Sequence, residues 1–277
     1  MLMNEIVIEA GKTERHYWVD LWRYRELFFF LSWRDLLVRY KQTVIGLLWA
    51  LIRPLLIIVI GTVIFSKLTG PSSDTLPYPV LICAATLPWQ FFASAMAEAS
   101  NSLIVNANMI SKIYFPRLIV PASAVIVSFS DLLISLVILA GLMLWYHVMP
   151  TWRLMTLPLF TLLAFAASFG VGLWLSALNV KFRDFRYIIP FIVQFGIFVS
   201  PVFFTTHKFF EKHDEWACRI YDLNPMVAVI DGYRWALGDN ASFNEIGLLT
   251  SLVVTPLLLF SGVKYFRATE KAFADII

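Results

Sequence analysis

The residues whose types could do chemistry are few, and their spacing does not support much of it. His207, His213, Asp214 and Glu215 carry metal-ligating atoms. Their spacing matches no zinc or calcium pattern, and a solvated loop face accounts for them. Gly11-Lys12-Thr13 imitates the end of a phosphate-binding loop, but Ile6 stands where that loop needs its first glycine, and no strand leads into it. If ATP drives this protein, another chain is expected to bind it. Cys83 and Cys218 make neither a disulfide framework nor a metal cluster, and Cys83 reads as a small core hydrophobe. Asn240-Ala241-Ser242 is formally a glycosylation acceptor, relevant only in a eukaryotic secretory setting. A membrane enzyme acting on lipid carriers would need carboxylates or histidines clustered at one face, and the sequence shows none.

Arg53 and Asp131 lie within apolar stretches. A charge at mid-helix in a bilayer costs roughly 2.5–3.5 kcal/mol, so each is expected to face the bundle interior or a wet cavity. Asp131 invites a proton-relay reading. A lone Asp without a companion Glu or His in other crossings makes a poor relay, and a polar contact between helices is the alternative. Arg53 precedes Pro54, where the helix loses a hydrogen bond, and carbonyls freed nearby are expected partners.

The elements that position these residues are six long apolar stretches, at 44–65, 79–97, 118–146, 157–178, 188–204 and 246–266. A helix needs about 20 apolar residues to cross a hydrocarbon core. Lipid forbids unpaired backbone groups, so each stretch reads as a helix. Of the 277 residues, 59% are hydrophobic and 15% charged, which leaves almost no room for a separate soluble domain. The expected fold is an all-α integral membrane protein of one domain, 1–277: a cytoplasmic segment 1–43, a six-helix bundle 44–266 and a tail 267–277. The first twenty residues contain acids and no apolar core of the length a cleaved signal needs, so the first crossing is expected to direct insertion.

Charge placement orients the bundle. Lys12, Arg15, Arg23, Arg25, Arg34, Arg39, Lys41, Lys112, Arg117, Lys181, Arg183, Arg186, Lys264, Arg267 and Lys271 fall in alternate connections and at both ends. The other side carries only Lys67, Arg153, Lys208, Lys212, Arg219 and Arg234. Positive charge stays in the cytoplasm, so both termini are expected inside and the long segment 205–245 outside.

Before the first crossing, Phe29, Trp33, Leu36, Leu37 and Tyr40 form one helical face, with Ser32, Asp35 and Arg39 on the other side and Asp35–Arg39 as an i,i+4 pair. A basic, aromatic, amphipathic helix of this kind lies flat at the interface. It is either a simple anchor or a lever that connects a cytoplasmic partner to the first crossing. The connection 101–121 is too polar at its start for membrane core, and Pro116 and Pro121 break helical geometry. It is expected to form a short cytoplasmic helix over 103–113 and a turn at Phe115-Pro116, either as an ordinary connector or as a docking element. In the outer segment, Asn224 is an N-cap with Pro225 at N1. Met226, Val227, Val229, Ile230, Tyr233 and Leu237 follow at helical spacing, and Gly238 is the stop. A helix this short is re-entrant or interfacial: a gate or a plug. Phe191, Phe195 and Phe198 share one face of the fifth stretch, as packing surface or as a path on which sugar rings could stack.

Several of these motifs also carry a family resemblance. Trp33-Arg34-Asp35, then Val38-Arg39-Tyr40-Lys41-Gln42-Thr43, then Gly46 and Trp49, resembles the approach to the first crossing of ABC transporter permeases that export polysaccharides. Ser111-Lys112-Ile113-Tyr114-Phe115-Pro116-Arg117 resembles their cytoplasmic coupling segment. Asn179-Val180 with Arg183-Asp184 is similar to the stretch before their fifth crossing, and Asn224-Pro225-Met226 to their outer gate region. The motifs come in family order across nearly the whole chain. O-antigen (lipopolysaccharide) export permeases are the closest in pattern; capsule and teichoic acid exporters are near relatives.

The resemblance implies a homodimer in the bacterial inner membrane, each copy paired with a separate ATP-binding subunit that holds ATP and Mg. It implies no catalytic residue, metal or cofactor in this chain and no nucleic acid partner. Arg34, Asp35, Arg39, Tyr40, Ile110, Lys112, Tyr114, Phe115, Pro116, Arg117, Arg183 and Asp184 would couple to the ATPase. Trp49, Arg53, Phe191, Phe195 and Phe198 would line a channel, and Asn224, Pro225, Met226 and Tyr233 would form the outer gate, with re-entrant helices between the fifth and sixth crossings. The cargo would be a polysaccharide on undecaprenyl pyrophosphate. Arg53 departs from the usual pattern before the first-crossing proline, which leaves its role open. The rival readings are an ABC permease for drugs or other lipids, a membrane enzyme on lipid carriers, and a proton-coupled carrier using Asp131.

Overall fold

A computed structural model describes residues 17–41, 48–69, 76–182, 184–238 and 243–273. The described residues form twelve α-helices and two 3-10 turns, with no strand among them. The helices are α1 (Tyr17–Arg23), α2 (Arg25–Lys41), α3 (Leu48–Thr69), α4 (Tyr78–Val105), α5 (Ala107–Ile110) and α6 (Ile119–Trp145). They continue with α7 (Leu157–Lys181), α8 (Phe185–Val199), α9 (Thr206–Lys212), α10 (Glu215–Asp222), α11 (Pro225–Ala236) and α12 (Glu245–Thr269).

Four helices are long and apolar enough to cross a bilayer: α4, α6, α7 with the turn before it, and α12. The apolar runs of α3 (Leu48–Ile64) and α8 (Phe185–Val199) are shorter, so four of the six expected stretches reach span length. The first stretch was expected from residue 44, and its opening residues, with Thr43 and Gly46, lie outside the described ones. The fifth was expected over 188–204 but α8 stops at Val199, where Ser200 turns extended (φ −100°, ψ 153°) ahead of Pro201. The residue before a proline is pushed out of the helical region, so the apolar run outlasts the helix.

Helix α4 is the central post. Its apolar window is 83% buried, against 22–33% for the other three long helices. α6, α7 and α11 pack around it, and α12 packs on α7. Small residues allow the closest crossings. A Cβ on Gly262 would lie 2.5 Å from the Gly170 carbonyl oxygen, and one on Gly172 would lie 2.8 Å from the Ala99 Cβ. Such small-residue contacts bring helices together where water supplies no driving force.

The cytoplasmic helix expected over 103–113 is replaced by a longer α4 and a four-residue α5. Asn106 explains the break. Its side-chain amide donates to the Ser102 carbonyl at 2.9 Å, and its backbone leaves the helical region (φ −99°, ψ 19°). Short polar side chains that bond local backbone compete with the helix in this way.

Candidate functional site

The interface helix α2 presents its aromatic face outward: Phe29, Phe30, Trp33, Leu37 and Val38 are exposed. Leu31 and Ser32 are buried, and the side that meets the bundle carries Leu27, Phe28 and Leu31 together with polar groups. An apolar face turned away from the protein suits a helix lying in a lipid interface.

The polar side of α2 makes specific bonds. Asp35 pairs with its neighbour Arg34 at 2.7 Å, in place of the expected pairing with Arg39. Arg34 also donates to Asn106 Oδ1 at 2.9 Å, tying α2 to the junction of α4 and α5. Arg39 reaches across to Asp131 on α6 at 3.2 Å and to Glu98 on α4 at 3.5 Å. The Tyr40 hydroxyl donates to the same Asp131 carboxylate. Burial, with Asp131 beside it, holds the Tyr40 phenol well above its ordinary range, so it stays a donor. Asp131 is thus the polar contact between helices, and its partners come from α2. One turn further along α6, Ser135 Oγ donates to the Ala50 carbonyl of α3 at 3.1 Å. α2, α6 and α3 are thereby linked in sequence.

The segment 110–117, expected to couple to an ATPase, divides into an anchored part and an exposed part. Ile110, Phe115 and Pro116 are buried, the first two in a cluster with Tyr17, Leu31, Leu103, Phe266 and Phe273. Lys112, Ile113 and Tyr114 are exposed. Arg117 is held from the C-terminal side: its backbone N–H donates to Glu270 Oε1 at 2.8 Å, and its guanidinium bonds the Glu270 carbonyl. The Tyr17 hydroxyl donates to the same carboxylate at 3.4 Å, and Arg267 lies over the Tyr17 ring at 4.2 Å. Burial raises the Glu270 carboxyl, with the Arg117 and Tyr17 contacts pulling the other way. Asp184 is exposed at the start of α8, and Arg183 lies outside the described residues.

The residues expected to line a channel separate within one chain. Trp49 and Arg53 open onto a cavity of about 280 Å³ between α2, α3, α4 and α6, which Asp131 also lines. Arg53 has no partner among the described residues, so the freed carbonyls expected to hold it do not. Phe191, Phe195 and Phe198 form an exposed stripe on α8, where Phe191 and Phe195 stack nearly parallel at 6.1 Å.

Helix α11, expected on the outer side, begins where the sequence places it. Asn224 Oδ1 accepts from the Met226 N–H at 3.0 Å, Pro225 occupies the first turn, and Gly238 follows its end at φ 108°. Asn224 also donates to Ser200 Oγ at 3.1 Å, joining α11 to the end of α8. Pro225, Met226 and Tyr233 are buried against α4 and α7. His207 pairs with Glu211 at 3.3 Å, while His213 stacks on Phe209 at 4.1 Å.

The family model for ABC-2 type transporters matches residues 26–237 of this chain, which runs from α2 to the end of α11. The chain belongs to the ABC-2 type transporter family. An O-antigen export system permease protein RfbA of Myxococcus xanthus is 24% identical over 259 residues, covering 93% of this chain and 98% of that protein. Two proteins of the same description from Klebsiella pneumoniae are each 27% identical, over 249 and 246 residues, covering 88% of this chain and 92% of each relative. This ABC-2 protein is therefore a transport membrane subunit, and membership implies an ABC ATP-binding partner.

Sequence reasoning passed over Glu98, Asn106 and Asp231 of this ABC-2 chain and counted Arg234 only as an outer charge, yet the packing makes all four central. Arg234 and Asp231 are each only 1% exposed. Arg234 donates to the carbonyls of Phe204 and Val202 at 3.0 and 3.1 Å, and Thr206 donates to Asp231 at 2.8 Å. The i,i+3 spacing of Asp231 and Arg234 on an otherwise apolar helix was the available signal.

Proposed function

We propose that this chain is the transmembrane subunit of an ATP-driven exporter that moves an undecaprenyl-pyrophosphate-linked polysaccharide of the O-antigen type across the bacterial inner membrane. The observation that carries the reading is end-to-end similarity to O-antigen export permeases, across 93% of this chain and 98% of one relative. In this reading α3 and α8 complete six crossings, both termini are cytoplasmic, and α9 to α11 form the outer, re-entrant gate.

Two copies form the transporter, each with an ATP-binding subunit that holds ATP and Mg. The exposed faces of α3 (Leu55, Leu56, Val59, Ile60) and of α8 (Phe191, Phe195, Phe198) support this. They are apolar surfaces that two copies could turn toward a shared path. The partner ATPase docks on the exposed Lys112, Ile113 and Tyr114, with Asp184 and the exposed rim of α2 as further contacts, all of them open to a partner. Its closure pushes α2, and Arg39 and Tyr40 pass the push to Asp131 on α6.

Deletion of the gene tests the cargo. Lipid-linked glycan should accumulate in the inner membrane while polymer disappears from the surface. Unchanged surface polymer with no trapped intermediate would replace this reading with a permease for another lipid or a drug.

A further inference from the structure

The cavity between α2, α3, α4 and α6 has an unequal set of charges. Arg39, Arg53 and Asp131 line it, together with Tyr40, Trp49 and Gln90. Asp131 is satisfied by Arg39 and by the Tyr40 hydroxyl, so its negative charge is already matched. Glu98, which also faces Arg39, is not among the lining residues. Arg53 remains. It is exposed and lacks an ion pair or hydrogen-bond partner among the described residues. Gln90 contributes an amide nitrogen that is buried and has no acceptor. An unmatched guanidinium on an apolar helix is costly in lipid, and a buried amide donor without an acceptor adds to the cost. Trp49 lies four residues before Arg53, on the same helical face, and sets an apolar ring beside the charge.

We infer that this cavity is a binding site for the phosphate group of a lipid headgroup, with Arg53 as its charge partner, Gln90 as a second donor and Trp49 against the lipid's apolar part. A guanidinium offers a planar fork of N–H donors that matches phosphate oxygens, and it is more weakly hydrated than a lysine ammonium. Both Trp49 and Arg53 are exposed along α3, so a headgroup can reach the cavity from the side of the bundle. The site deepens the exporter reading, and it rests on that reading only for the choice of a polyprenyl diphosphate as the first probe.

The test is binding to the purified full-length protein in detergent, read by native mass spectrometry. The probes are a polyprenyl diphosphate lipid, phosphatidylglycerol, phosphatidylcholine and inorganic pyrophosphate. The expected result is that an anionic phospholipid or diphosphate lipid binds more tightly than phosphatidylcholine. Arg53→Gln should weaken that binding about tenfold or more, with Arg53→Lys and Gln90→Leu losing less. Thermal unfolding of each variant identifies any that fail to fold, and Arg53→Lys and Gln90→Leu keep the test open if Arg53→Gln does.

Preference for the diphosphate lipid would identify cargo, whereas equal binding of phosphatidylglycerol would identify a bilayer lipid; both support the site. Wild-type binding by folded Arg53→Gln would overturn it. So would inorganic pyrophosphate binding as tightly as any lipid, or an Arg53→Gln variant that loses only its dimer and so marks Arg53 as pairing with a second copy. If gene deletion traps no glycan while Arg53-dependent lipid binding persists, the exporter reading fails and the site stands.

Discussion

Asp131, in the first half of α6, is joined at 3.2 Å to Arg39 near the end of the interface helix α2. The bond crosses 92 positions of sequence and connects α2 to a helix long and apolar enough to cross a bilayer. The Tyr40 hydroxyl shares the same carboxylate, so two successive residues of α2 grip one residue of α6.

Reversing the charge at this contact should uncouple the two helices. Arg39→Glu sets a carboxylate beside Asp131 and Glu98. It is expected to cut export by about tenfold or more, from loss of a charged hydrogen bond worth roughly 1.5–3 kcal/mol, while membrane insertion is retained. ATPase activity of the assembled complex should continue without matching export. Adding Asp131→Arg to Arg39→Glu should restore part of the transport. Normal export in Arg39→Glu alone would show that α2 is an anchor and not a lever.

The buried arginine of α11 should matter for stability more than for transport chemistry. Arg234→Ala removes the donor to two carbonyls and the charge beside Asp231. Breaking a buried pair by removing one partner costs about 3–5 kcal/mol. The expected signs are lower protein yield and a lower thermal midpoint in detergent. A midpoint equal to that of the wild type would mean that water reaches Asp231.

The crossing of α7 and α12 sets a steric test. Gly262→Ala places a Cβ within 2.5 Å of a backbone oxygen, which no side-chain rotation can relieve. Overpacking of this sort costs about 1–3 kcal/mol, read as earlier thermal unfolding. Gly141→Ala is the control, since nothing lies within 4 Å of a Cβ there, and it should unfold like the wild type.

Glu270 predicts a pH dependence. Burial raises its carboxyl above the ordinary value. A carboxyl raised in the folded state favours folding at acidic pH, and that contribution is lost as pH rises through the raised value. Glu270→Gln keeps an acceptor for the Arg117 N–H and does not titrate. The thermal midpoint of the variant relative to wild type should therefore climb from acidic to neutral pH. A gap that stays constant across that range would show that Glu270 titrates as it does in water.

Local features of this chain were legible in its sequence. Four of the six apolar stretches became helices of span length, because in lipid a helix closes its backbone hydrogen bonds with residues only four positions away. The start of α11 was readable for the same reason: the Asn224 cap is completed two residues on, at Met226. The polar break before residues 110–117 was visible too. Its exact place was not, because Asn106 ends α4 with a side-chain bond to Ser102 while also meeting Arg34 from α2.

Only the tertiary structure decided which charges meet. From sequence spacing Asp35 and Arg39 read as a pair on one helix, yet Arg39 turns to Asp131 and Glu98 once α2 lies against α4 and α6. Arg117 reads as one of the cytoplasmic charges of a connection, expected to couple to a partner, yet Glu270, from the far end of the chain, bonds it. Arg234 reads as one more outer charge and is instead buried among carbonyls. Helix periodicity is a property of neighbours within about a turn, so the sequence carries it directly. The partner of a long charged side chain depends on which helices pack together and where small residues such as Gly170 and Gly262 let them approach, and spacing along one helix does not encode that.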